Sequence, residues 1–118
     1  MSTLRDEARR QWGEGGLLNW VLTTAQMYGW KRAHFRPAKT AKGWRTPVQG
    51  DGAGFPDLVF VRGTRLIVAE LKAGRTPSEN KPRADQQAWL DAFAGVPGIE
   101  VYVWTTRTPE AEIDGALA

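Results

Sequence analysis

Two runs of strand-forming residues, Phe55–Arg62 and Arg65–Lys72, are separated by only Gly63-Thr64. Each is rich in Val, Leu, Ile or Phe. A two-residue connection led by glycine leaves them one short-range pairing, an antiparallel hairpin. Everything else in a chain of 118 residues, the size of one domain, has to pack around that hairpin. Side chains alternate across a strand, so Glu70 and Lys72 share a face while Leu71 turns to the other, into the core. Asp57 lies seven positions before Thr64, and Glu70 and Lys72 lie six and eight after it. The two acids and the lysine therefore meet at one end of the hairpin.

The flanking segments predict the layers around it. From Glu14 to Tyr28, apolar residues recur at Leu17, Leu18, Val21, Leu22, Ala25 and Tyr28, the spacing of a helix with one buried face, and Gly29 stops it. Residues 30–36 read as a short strand that Pro37 ends. Residues 37–54, with Pro37, Gly43, Pro47, Gly50, Gly52 and Gly54, read as one long loop. After the hairpin, residues 73–83 form a polar loop. Ala84–Ala94 reads as a second helix with Trp89, Leu90 and Phe93 as inward candidates, ended by Gly95, Pro97 and Gly98. Ile99–Trp104 is a last strand, free to lie parallel to a neighbour because it follows a helical crossover. Pro109–Leu117 is a closing helical turn with Ile113 and Leu117 facing inward. The expected class is α/β, a mixed central sheet flanked by helices. Residues 1–13 are expected to be an N-terminal arm, and residues 14–118 a single domain.

The chain has no cysteine, which excludes disulfides and thiolate metal sites. No apolar run approaches the roughly 20 residues that cross a bilayer. The opening MSTLRDEARRQW lacks the apolar middle of a secretory signal. A cytoplasmic protein with no membrane partner is expected. The net charge is +3, and its distribution says more than its size. Between Trp30 and Gln49 stand Lys31, Arg32, Arg36, Lys39, Lys42 and Arg45, with no acid and with His34, Phe35 and Trp44 interleaved. Such a stretch suits a phosphate backbone, and equally describes a solvated basic loop. Arg75, Lys81 and Arg83 make a second basic group.

Two carboxylates and an ammonium on an apolar sheet are costly unless they are paired or hold a cation. Oxygen ligands suit Mg²⁺ or Mn²⁺ rather than zinc. A cation on Asp57 and Glu70 could lower the pKa of a bound water and polarise a phosphate, with Lys72 orienting that water or stabilising charge on phosphorus. An ordinary strand pair with a surface Glu70–Lys72 ion pair is the plainer alternative. His34 reads more as a structural or phosphate-contacting group than as a general base, and Asp51 more as a turn former than as a supporting ligand.

Pro56-Asp57 followed by Glu70-Leu71-Lys72, in the order helix, three strands, helix, strand, resembles the PD-(D/E)XK nuclease superfamily. More narrowly, Gly54-Phe55-Pro56-Asp57-Leu58, Glu70-Leu71-Lys72 and Gln86-x-x-Trp89-Leu90 resemble a stand-alone VRR-NUC domain, over roughly residues 14 to 117. The resemblance implies an α-β-β-β-α-β core of the restriction-endonuclease type. It implies a Mg²⁺- or Mn²⁺-dependent endodeoxyribonuclease without an organic cofactor. Stand-alone members resemble Holliday-junction resolvases and are frequent in bacteriophages, so branched DNA is the expected partner and a host cytoplasm the expected place if the chain is phage-encoded. Flaps, linear duplex or RNA are alternative substrates, and a non-catalytic nucleic-acid-binding module is an alternative function.

The resemblance also assigns roles. The Leu71 backbone carbonyl becomes a further metal ligand. Glu14 matches an acid that assists the metal site, although a helix N-terminal acid facing the macrodipole needs no such role. Gln86 matches a glutamine that would hold the attacking water or Lys72, with Gln87 as its competitor; Trp89 reads most simply as core packing. A two-fold junction needs two cuts, so a homodimer is expected. Trp12, Trp20, Trp30 and Trp44 are read as spare apolar surface for it, with the Arg5–Trp12 arm reaching across.

Overall fold

In the computed structural model, which describes residues 13–35, 38–40, 43–45 and 50–118 (backbone alone at 13–14, 38–40 and 43–45), the elements run α1 (Gly13–Met27), β1 (Lys31–His34), β2 (Ala38–Thr40), β3 (Gly43–Arg45), β4 (Leu58–Arg62), β5 (Arg65–Lys72), α2 (Ala84–Ala94), β6 (Ile99–Thr105) and α3 (Glu110–Leu117). The hairpin forms as its sequence demands. β4 and β5 pair antiparallel from Leu58↔Ala69 to Arg62↔Arg65. At the turn Gly63 takes φ +59°, a conformation that costs glycine nothing.

The hairpin is the middle of a four-stranded mixed sheet of order β1-β4-β5-β6. β1 runs antiparallel to β4, and β6 runs parallel to β5 after the α2 crossover. Alternation then sorts the side chains. Leu58, Phe60, Ile67, Ala69 and Leu71 join Leu17, Val21 and Ala25 of α1, Trp104 of β6 and Ile113 and Leu117 of α3 in one buried cluster. Val68, Glu70 and Lys72 belong to the opposite face, where Lys72 meets α2. Among the described residues, two helices therefore cover one face and one helix the other. Each fully buried Leu, Ile or Phe contributes about 1.5–3 kcal/mol to that arrangement.

Both ends of the first layer are locally fixed. α1 stops at Gly29, φ +83°. There the Trp30 amide donates to the Ala25 carbonyl and the Gly29 amide to that of Gln26, both at 3.0 Å. That pair of bonds is a Schellman cap, and it satisfies carbonyls the helix would otherwise leave open. At the far end, α3 delivers its last carbonyls to the hairpin. Trp30 Nε1 donates to Leu117 O at 2.7 Å and Arg62 Nη1 to the same oxygen at 3.1 Å. Arg65 Nη2 donates to Ala116 O at 2.9 Å.

Three expectations need correction. Residues 37–54 are not one uniform loop: β2 and β3 pair antiparallel within them as a separate two-stranded sheet. Strands of three residues are too short for alternation to register against the surrounding Pro and Gly. Trp30 is not spare surface. It is 4% exposed, with the Arg62 and Arg65 guanidinium carbons 4.5 and 4.9 Å from its ring centroid. Trp20 packs against the core cluster, and the side chains of Trp12 and Trp44, like residues 1–12 of the expected arm, lie outside the described residues, while Gly13 opens α1. Finally, the buried residues of α2 are Gln86 and Leu90. Trp89 and Phe93 are half-buried, grouped around Phe55 with ring centroids 5.0 and 5.9 Å from it. No described helix is long and apolar enough to cross a membrane.

Candidate active site at the end of the hairpin

The approach to Asp57 is shaped by Gly54. Its φ of +80° lies in the left-handed region, and a Cβ there would fall 2.6 Å from the Asp85 carbonyl carbon and 2.7 Å from the Gln86 nitrogen. Only glycine lets the backbone pass so close to the N-terminus of α2. Phe55, Pro56 and Asp57 follow directly, so the same contact that seats α2 aims Asp57. On its other side the Asp57 carbonyl accepts from the Phe35 amide at 2.9 Å, carrying the β1–β4 pairing one residue further.

Asp57 Oδ2 accepts a hydrogen bond from the Leu71 amide at 2.9 Å. Continuing the β4–β5 register by one residue sets Asp57 opposite Glu70. Residues opposite one another share a face. Glu70 is 1% exposed, and a carboxylate is seldom buried that deeply unless it is paired or coordinates a cation. The Leu71 N–H points toward Asp57, and in an extended strand its carbonyl points the same way.

Lys72 is held from the second helix. Its Nζ donates to Gln86 Oε1 at 2.7 Å, and that oxygen also accepts from the Arg83 amide at 2.8 Å. The second bond is half of a capping box at the start of α2. Gln86 therefore does two jobs with one atom: it caps the helix and fixes the lysine. Gln87 does neither; it is exposed and donates to Asp91 Oδ1 at 2.8 Å.

The loop between Lys72 and α2 is itself built. Thr76-Pro77-Ser78-Glu79 is a small reciprocal box, Glu79 N donating to Thr76 Oγ1 and Thr76 N to Glu79 Oε2, both at 3.3 Å. Asn80 Oδ1 accepts from Gly74 N at 2.7 Å. The Thr-x-x-Glu spacing is the signal in the sequence that could have revealed this turn.

Asp57, Glu70, Leu71, Lys72 and Gln86 are thus brought together. His34 pairs with Leu58 in the register and so shares the face of Leu58, not that of Asp57. Asp51 is exposed, and its carbonyl accepts from Trp89 Nε1 at 2.8 Å. The Glu14 side chain lies outside the described residues. Among the described residues, no group of three or more His, Cys, Asp or Glu side chains is placed to hold a metal ion. Of the basic residues, Lys31 and Arg32 are exposed on the edge strand β1, and Arg32 Nη1 spends a bond on Leu22 O at 3.1 Å. The side chains of Arg36, Lys39, Lys42 and Arg45 lie outside the described residues. Arg75, Lys81 and Arg83 are exposed along the loop that leaves Lys72, with Arg83 Nε 3.4 Å from Asp85 Oδ1.

Compared with known proteins, the chain matches no family model and no curated relative.

Proposed function

We propose that the chain is a Mg²⁺- or Mn²⁺-dependent endonuclease with a PD-(D/E)XK core, hydrolysing DNA phosphodiesters and selecting branched DNA such as four-way junctions. One observation carries this reading. At a single end of one hairpin, Asp57 is bound to the Leu71 amide, Glu70 is buried at the opposing register position, and Lys72 is held by Gln86.

The donor set suits a hard divalent cation. Mg²⁺ commonly takes one or two carboxylates and fills its remaining places with water and substrate phosphate oxygens. Asp57 and Glu70 would hold it together with the Leu71 carbonyl, and Glu14 is a further candidate. Bound there, the ion would lower the pKa of a water and polarise the phosphate. The rest is done by the chain itself. The Leu71 amide holds one Asp57 oxygen against strand β5. Gln86 keeps the Lys72 ammonium from swinging into solvent. An ammonium has three donors, so two remain for the attacking water or a phosphoryl oxygen. The exposed cations Lys31, Arg32, Arg75, Lys81 and Arg83, with Arg36, Lys39, Lys42 and Arg45, would neutralise the DNA backbone. One chain carries one such constellation, and a second copy would supply the second cut of a two-fold junction.

The test is a cleavage panel with labelled four-way junction, flap, nicked, duplex and single-stranded DNA, and RNA counterparts, with Mg²⁺ or Mn²⁺. Cation-dependent cutting concentrated on the junction is the expected result. Tight binding with no cleavage under either ion would convert the reading to a binding module, and preference for another substrate would move the specificity.

A further inference from the structure

We propose that Arg107, which lies outside the motif set, grips a backbone phosphate of the nucleic acid beside the bond that Asp57, Glu70 and Lys72 would hydrolyse. The inference rests on the nuclease reading and adds to it a specific phosphate-binding residue. Its placement follows from the sheet. β6 runs parallel to β5 with Thr105 opposite Lys72, so the C-terminal end of β6 opens onto the same end of the sheet as the candidate site. The chain then folds against Lys72, the Thr106 amide donating to the Lys72 carbonyl at 3.2 Å.

The arginine is held there from both ends. Its amide donates to Thr105 Oγ1 at 3.0 Å, and the Thr105 amide donates to Thr108 Oγ1 at 2.9 Å, which fixes the turn. Its guanidinium crosses to the loop that leaves Lys72, Nη2 donating to the Arg75 carbonyl at 2.8 Å. That bond goes to a neutral acceptor. Among the described residues no carboxylate forms an ion pair with Arg107, whereas Arg65 and Arg83 both have one. A guanidinium has five N–H donors in a fixed fork, so four remain, aligned for a planar oxyanion or phosphate. The charge is exposed, lies next to Arg75, and is oriented in advance, so little side-chain freedom is lost when phosphate arrives.

Two substitutions separate grip from architecture. Arg107→Gln removes the charge while keeping a neutral side-chain N–H donor; Arg107→Lys keeps the charge and loses the fork. The measurement is fluorescence anisotropy with a labelled four-way junction and a labelled duplex, in EDTA and in Ca²⁺, across a salt series. Loss of one phosphate contact flattens the slope of log affinity against log salt by about 0.9, which amounts to about eightfold weaker binding at ~0.1 M salt. That change is expected for Arg107→Gln on both DNAs, with Arg107→Lys close to the parent slope. Parent-like slopes in Arg107→Gln, or equal weakening by both variants at an unchanged slope, would overturn the role of Arg107 while leaving the nuclease reading standing. Failure of the unsubstituted chain to bind either DNA would overturn both.

Discussion

Lys72 and Gln86, fourteen residues apart and on different elements, are joined Nζ to Oε1 at 2.7 Å, through the same oxygen that caps α2. Helix start and lysine position are therefore one structural decision. Gln86→Ala removes both bonds. It is expected to cost about 1 kcal/mol of stability as a lost cap and to lower kcat about tenfold to a hundredfold by releasing the lysine. Gln86→Glu keeps an acceptor and should recover most of the stability. Thermal melts alongside single-turnover cleavage check this; a kcat unchanged in Gln86→Ala would show that Lys72 needs no positioning.

A second prediction concerns the cation. Asp57→Asn retains an oxygen that can accept from the Leu71 amide, so the fold should persist within about 1 kcal/mol. Cleavage should nevertheless fall at least about a hundredfold, and equally in Glu70→Ala, through loss of metal catalysis. Mg²⁺ should raise the Tm of the parent chain and leave that of Asp57→Asn unmoved, because only the native site binds it. Activity of Asp57→Asn at the parent level would sink the metal reading.

Gly54 supplies the third. Alanine there must adopt a left-handed φ and place its Cβ within 2.6 Å of backbone, and backbone does not yield as a flexible side chain would. A loss of about 2–4 kcal/mol in urea unfolding is expected, with loss of activity in the folded fraction. Gly63→Asn is the control. Gly63 also has positive φ, but a Cβ there meets nothing within 4 Å, so a cost of about 1 kcal/mol or less is expected. Similar costs at the two positions would show that the contact with α2 is unimportant.

How far the sequence reaches is clear from particular residues. β5 and α2 fall on the expected ranges, Arg65–Lys72 and Ala84–Ala94. One is bounded by a tight turn, and the other lies between a proline-containing loop and Gly95, so local chemistry suffices. That Asp57 faces Glu70 across the hairpin, with Lys72 on the same face, is legible for the same reason: a hairpin's register follows from its turn. What could not be read was tertiary. The demand on Gly54 comes from Asp85 and Gln86, more than thirty residues on. Nothing near Trp30 in the sequence shows that Arg62, Arg65 and Leu117 close over it, so its burial is not legible there. Arg107 follows a strand end, a position that carries no pattern until β6 is known to lie beside β5.

The homodimer prediction loses Trp30, which is buried, and Trp20, which packs against the core cluster, while Trp12, Trp44 and the arm lie outside the described residues; the two-cut requirement carries it. Sedimentation equilibrium at micromolar concentration without DNA is expected to give a mass near twice the 13.1 kDa of one chain. A single species at the monomer mass, still cutting both junction strands in one binding event, would end it.

The last prediction joins stability to pH through Glu100. Arg65 Nη2 lies 2.7 Å from Glu100 Oε1, and that oxygen also accepts from Tyr102 Oη at 3.0 Å. The hydrogen bonds from Arg65 and then Tyr102, against some desolvation, hold the Glu100 carboxyl below its ordinary value. A carboxyl depressed on folding stabilises the protein above its unfolded pKa, and that stability is lost as pH falls through the folded pKa. With the Arg65 and Glu100 side chains 34% and 28% exposed, solvent screening limits the effect to about 1 kcal/mol or less. Tyr102 has the opposite sign at the other end of the scale. Burial, and then its bond to Glu100, raise its pKa. Stability from that shift is present at neutral pH and lost as pH rises past ~10. Glu100→Gln removes the charge both residues respond to. Urea midpoints measured from pH ~3 to ~11 should show the parent losing stability at both ends and Glu100→Gln following a flatter curve. Parallel curves would mean that the triad contributes nothing that titrates.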